Sequence, residues 1–113
     1  MAHVYEKATK DTVDLSAYVL CFIKIIQKKL EFYGLIDGVP GKSDEQPPST
    51  LVIPIISRKF QYCYDAIELI EKTFKRKGFN CSMKHYKHID IDEKDGSKTK
   101  GFSYEYEISK IKK

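Results

Sequence analysis

The sequence predicts a single small α+β domain in the order α-β-α-β-β, with two helices on one face of a three-stranded mixed sheet. Three observations carry this. Two stretches repeat apolar residues at three- and four-residue steps, the spacing of amphipathic helices. A short apolar run, LVIPII, lies between them. After Gly78 the period changes to two, the spacing of half-buried strands. A chain of 113 residues suits one domain with one core.

The second helical stretch is the best defined. Phe60, Cys63, Ile67, Ile70 and Phe74 form one apolar stripe over residues 60–77. Glu68–Lys72 and Glu71–Lys75 are i,i+4 pairs with the acid first, the stabilising order. Ser57 is the expected N-cap, and Gly78 suits the left-handed position past the last turn. Lys75, Arg76 and Lys77 sit where the helix dipole favours cations.

The run Leu51 to Ile56 is apolar at both parities, which predicts a strand covered on both faces. Pro54 donates no ladder hydrogen bond, so the strand is expected at an edge. Residues 1–11 are expected to be a polar arm, with the single domain over 12–113. The first helix is predicted over 12–33, through Leu15, Val19, Phe22, Ile26, Leu30 and Tyr33, with Tyr18 and Ile25 widening the stripe, and closed by Gly34. Its first half has almost no polar side. Ala17, Leu20 and Ile23 are therefore the expected protein interface. The apolar run here is far short of the ~20 residues needed to cross a bilayer, so no membrane span is expected.

Residues 34–50 hold three glycines and three prolines and read as a loop. The GVPGKS within it superficially suggests a phosphate loop, but its first glycine is misplaced and Asp44, Glu45, Gln46, Pro47 and Pro48 follow where a helix should start. Past Gly78, two strands are expected over 79–86 and 102–109, joined by a long charged loop. Their exposed polar face is expected to carry Ser82, Lys84, Tyr86, Ser103, Glu105 and Glu107.

Little in the chain has the spacing of a reactive site. Cys81 and His85 share a strand face but lie ~13 Å apart, too far for one zinc ion. Asp90, Asp92 and Asp95 miss the calcium-loop spacing, because Gly96 comes one position late. No catalytic, cofactor-binding or metal-ligating set is predicted. Three unpaired cysteines, Cys21, Cys63 and Cys81, predict free, buried thiols in an intracellular, reducing compartment.

The net charge of +4 is uneven. Residues 72–113 hold twelve basic residues against six acidic ones, and residues 1–71 hold eight against ten. Lys72, Lys75, Arg76, Lys77, Lys84, Tyr86 and Lys87 are the candidate nucleic-acid contacts, with the tyrosine available for stacking. Only Arg58 and Arg76 are arginine, which weakens sequence-specific readout. The excess of Lys, Ile and Tyr fits an A+T-rich genome, such as those of some viruses.

Ile53-Pro54 ending a strand, Tyr64 and Ala66 opening a helix, and Lys77-Gly78-Phe79 leading to the next strand form a further pattern. In these features residues 51–86 resemble the opening strand–helix–strand of the anticodon-binding domain of class II aminoacyl-tRNA synthetases. The resemblance covers about a third of the chain. The later helices and strands of that family are missing here, and a helix precedes the pattern. Independently of the resemblance, a right-handed crossover through residues 60–77 would place strands 51–56 and 79–86 parallel, with strand 102–109 added antiparallel by the hairpin.

The sequence as a whole predicts a non-catalytic protein-interaction module, a structural or assembly subunit of a larger complex. Its partner is a protein or a second copy. The alternative is a small basic nucleic-acid-binding protein that uses the lysine-rich C-terminal half.

Overall fold

The computed structural model describes residues 15–111. The polar arm expected at 1–11, the helix start at 12 and the end of the basic tail lie outside the described residues. Within them run α1 (Leu15–Phe32), β1 (Leu51–Ser57), α2 (Tyr64–Arg76), β2 (Phe79–Asp92) and β3 (Lys98–Lys110). The fold is α+β, and both helices share one core with a single face of a three-stranded sheet.

The sheet order is β1-β3-β2, and both pairings are antiparallel. This corrects the expected mixed sheet. The last strand of the chain inserts between the first two, so β1 and β2 share a direction but never pair. The hairpin drives this. Its two strands pair from Phe79–Lys110 to Asp92–Lys98, much further than expected. The charged segment read as loop is mostly strand, with Asp90 opposite Lys100 and Asp92 opposite Lys98. Only residues 93–97 turn, with Gly96 at φ +88° and Asp95 accepting from the N–H and hydroxyl of Ser97.

β1 is an edge strand, which accommodates Pro54. It is covered on one face only. Leu51, Ile53 and Ile55 are buried while Val52, Pro54 and Ile56 are exposed, contrary to the two-sided burial expected from its composition. Opposite it, Tyr104, Tyr106 and Ile108 of β3 face the same core.

Both helices stop as their glycines predict. After α1 the Gly34 N–H donates to Glu31 O and the Leu35 N–H to Leu30 O, with Gly34 at φ +72°. After α2, Gly78 stands at φ +96°. The starts differ. α2 begins at Tyr64, and Phe60 lies in the preceding loop. Ser57 does not cap the helix; its Oγ accepts from the Lys59 and Phe60 N–H groups and turns the chain after β1. α1 keeps its expected face, with Tyr18, Phe22, Ile26 and Leu30 fully buried, while Leu15 at its start is exposed and Val19 is only partly buried.

A buried hydrogen-bond chain links α1 to β3 and to the loop before α2. The Tyr104 hydroxyl donates to the Phe60 carbonyl at 2.6 Å. Its only proton is then committed, so it accepts from the Tyr18 hydroxyl, also at 2.6 Å. Around the chain the rings of Tyr18, Phe22, Phe60 and Tyr104 pack at centroid distances of 4.8–6.4 Å. Tyr106 is as deeply buried, yet its hydroxyl has no partner among the described residues.

Two predictions follow from these tyrosines. Tyr104→Phe strips the acceptor from Tyr18 and the donor from Phe60, which should cost about 1–3 kcal/mol in chemical denaturation. Tyr106→Phe removes an unpartnered hydroxyl and should be neutral or stabilising. Equal losses from the two substitutions would refute the hydrogen-bond chain.

Burial raises the pKa of Tyr18, Tyr104 and Tyr106 above the ordinary tyrosine range, and burial followed by the charge of Glu71 pushes the Cys81 thiol up to about 12. The unfolded chain ionises these groups first, so their contribution is fully present below the unfolded values of about 8.5 for Cys and about 10 for Tyr. It is lost as pH rises through the folded values. The melting temperature should fall above pH ~9, and three of the eight tyrosines should form tyrosinate only as the protein unfolds. Titration of all eight near pH ~10 in the folded state is the contrary result.

Candidate interaction surfaces

A bulge in β2 decides what the sheet presents. Met83 pairs with Tyr106 and His85 with Glu105, so Lys84 is the extra residue. Beyond it the alternation changes parity. Tyr86 and His88 join the core side, while His85, Lys87, Ile89 and Ile91 lie on the open face.

This corrects the expected position of Tyr86. Its ring packs against Tyr62, Phe102 and Tyr104 at 4.9–6.3 Å, and its hydroxyl accepts from the Tyr62 N–H at 3.2 Å. It prolongs the core along the hairpin and does not stand among solvent-facing lysines. The bulge also puts Cys81 and His85 on opposite faces of the sheet. Cys81 is buried on the core side, and His85 is exposed on the open face, 3.8 Å from Glu105.

The remaining nucleic-acid candidates fall into two groups. Lys72, Lys75, Arg76 and Lys77 cluster at the end of α2, beside the start of β2. Lys84 and Lys87 lie further along that strand, Lys87 ~27 Å from its first residue at strand rise. Lys72 is paired with Glu68 at 3.1 Å. The pair expected between Glu71 and Lys75 is replaced, because Glu71 accepts from the Met83 N–H at 3.0 Å. Along the hairpin, Asp90, Asp92, Glu93 and Asp95 stand among Lys94, Lys98 and Lys100, and Glu93 binds Arg58 at 3.1 Å.

The three interface candidates on α1 also divide. Leu20 is 56% exposed, whereas Ala17 and Ile23 are partly buried and pack against the core. The larger exposed apolar row lies on the open face of β1. There Val52 is 55% exposed and Ile56 is 64% exposed, with Pro54 between them. Single-parity reading of β1 would have found this row, but its apolar residues at both parities hid it.

The GVPGKS segment has a structural task. The N–H groups of Lys42 and Ser43 both donate to the Phe32 carbonyl, at 2.8 and 3.0 Å. A Cβ on Gly41 would lie 2.6 Å from the Gly34 nitrogen, so only glycine allows this crossing. The amides that would cradle a phosphate are spent on the end of α1. Glycine has a second close-packing role at Gly101, where a Cβ would meet the Ile91 side chain at 2.3 Å. Ile91 thereby lies flat against the open face of the hairpin.

No family model matches the chain, and neither characterised proteins nor solved structures give a match. Among the described residues no helix is long and apolar enough to cross a membrane. The three cysteines are free, but of the burial expected for them only Cys81 has it in full; Cys63 is half-buried and Cys21, off the buried line of α1, is exposed.

Separated basic clusters limit what a polyanion can engage at once. Three or four cations at the end of α2 should give single-stranded DNA a slope of log affinity against log salt of about −2 to −3. Fluorescence anisotropy across a salt series measures it. A slope steeper than about −5 would require both clusters to act together.

Proposed function

We propose that the chain is a non-catalytic protein-interaction module, a structural or assembly subunit of a larger complex. The exposed row Val52, Pro54 and Ile56 carries this reading. Each of the two aliphatic side chains forgoes ~1.5–3 kcal/mol relative to full burial, and a partner covering the row recovers part of it. Pro54 removes one backbone donor from this strand, which favours docking on the face over pairing along the edge. Next to the row, Glu105 and Glu107 of β3 supply a polar rim. Free thiols, with Cys21 exposed, fit a reducing compartment. The reading gives no residue a catalytic, cofactor or metal role.

Val52→Lys with Ile56→Lys tests it. Both side chains point away from the core, so the double variant should melt within about 0.5 kcal/mol of the parent. It should also lose self-association in light scattering, or lose the protein that co-purifies with the parent from its native source. Leu20→Lys serves as a control on the far layer. A parent chain that is monomeric and partnerless, or a double variant that keeps its partner, rejects the reading.

A further inference from the structure

β2 is the second edge of the sheet, and one part of that edge is unprotected. Natural sheets blunt their edges with proline, lysine, bulges or covering elements. β1 has Pro54, and the outer half of β2 has the Lys84 bulge and Lys87. The stretch Phe79 to Met83, FNCSM, has neither proline nor charge. It faces α2 across a groove of about 400 Å³, lined by Tyr64, Glu68, Glu71, Lys72 and Lys75 on the helix and by Phe79 to Ser82 on the strand.

Two hydrogen bonds give the direction of the backbone groups. The Ile111 N–H donates to Gly78 O at 2.9 Å, so Gly78 turns its carbonyl toward the chain continuing from β3. The Met83 N–H donates the other way, to Glu71 Oε2 on α2. In an antiparallel ladder these directions alternate, so Phe79 and Cys81 also turn their N–H and C=O outward. Glu71 thus supplies the acceptor that a neighbouring strand would offer Met83. At Cys81 no described side chain fills that place.

Glu68, Glu71, Lys72 and Lys75 balance one another around the groove, and the cationic excess comes from Arg76 and Lys77 beyond it at the C-terminal end of the helix. Glu71 is engaged by Met83 and Glu68 by Lys72, while Lys75 has no ion pair among the described residues. A second copy fits poorly. Lys75 lies one helical turn from Glu71, toward the level of Cys81, so a two-fold axis at Cys81 would bring the two Lys75 side chains together.

We infer that an extended peptide segment bearing acidic side chains adds to β2 as a fourth strand beside Cys81, beneath the rim formed by Lys72 and Lys75. Main-chain hydrogen bonds supply affinity, and the lysines select charge. This site lies apart from the open sheet face and does not depend on that reading.

The test uses the full chain, isotope-labelled, with a decapeptide of alternating threonine and glutamate. Amide exchange at Cys81 should slow on peptide addition. A fully N-methylated copy of the peptide, unable to donate, should bind about tenfold more weakly or worse. Lys72→Gln with Lys75→Gln should weaken the parent peptide by about tenfold with the chain still folded by circular dichroism. Equal binding of the N-methylated copy overturns the inference, as does an unchanged Cys81 amide or no binding at millimolar peptide. Oligothymidine protecting the Cys81 amide where the peptide does not also overturns it, and would assign the groove to nucleic acid.

Discussion

The hydrogen-bond chain from Tyr18 through Tyr104 to the Phe60 carbonyl joins three pieces of the protein distant in sequence. It lies inside an aromatic core, where an unpaired hydroxyl or carbonyl costs far more than it would in water. Satisfying all three atoms together restricts where α1, β3 and the loop before α2 can sit. α1 points Tyr18 inward with the rest of its apolar stripe. Phe60 leaves the helical phase so that its carbonyl faces β3. The loop starts with a tight turn, and the Ser57 hydroxyl holds that turn.

The Lys84 bulge is the second constraint, and it controls the surface. Without it, Tyr86 and His88 would stand on the open face, and His85 would share a side with Cys81. With it, the aromatic residues lengthen the core along the hairpin, and Ile89 and Ile91 move to the other side. Gly101 then makes room for Ile91, and Arg58 reaches Glu93 near the turn. The long hairpin is therefore anchored on both faces, although only its proximal half lies under the helices.

The two sheet edges are managed differently. Pro54 and an exposed apolar row mark β1, while a groove beneath a lysine-bearing helix marks β2. Glu71 connects helix to strand at the second edge. From the sequence it has a favourable lysine one turn later, but a strand amide pointing out of the sheet is a better-defined partner than a solvated ammonium on a flexible stem. The basic residues therefore form two groups with different settings, a helix end beside an open strand edge and a hairpin interspersed with carboxylates.

The sequence by itself determined the α+β class, the helix interiors, the glycine stops at Gly34 and Gly78, and the edge position of the strand with Pro54. These depend on periodicity, on the φ freedom of glycine and on the missing donor of proline, all of which act within a few residues. It could not determine that β3 would lie between β1 and β2, because strand order depends on pairing between distant segments. Nor could it place Tyr86, Glu71 or the exposed row on β1. One inserted residue reverses a strand's faces, and no local spacing records where that insertion falls. Tertiary structure decided those positions through the hydrogen-bonding demands of a buried hydroxyl and an outward amide, both met by residues far along the chain.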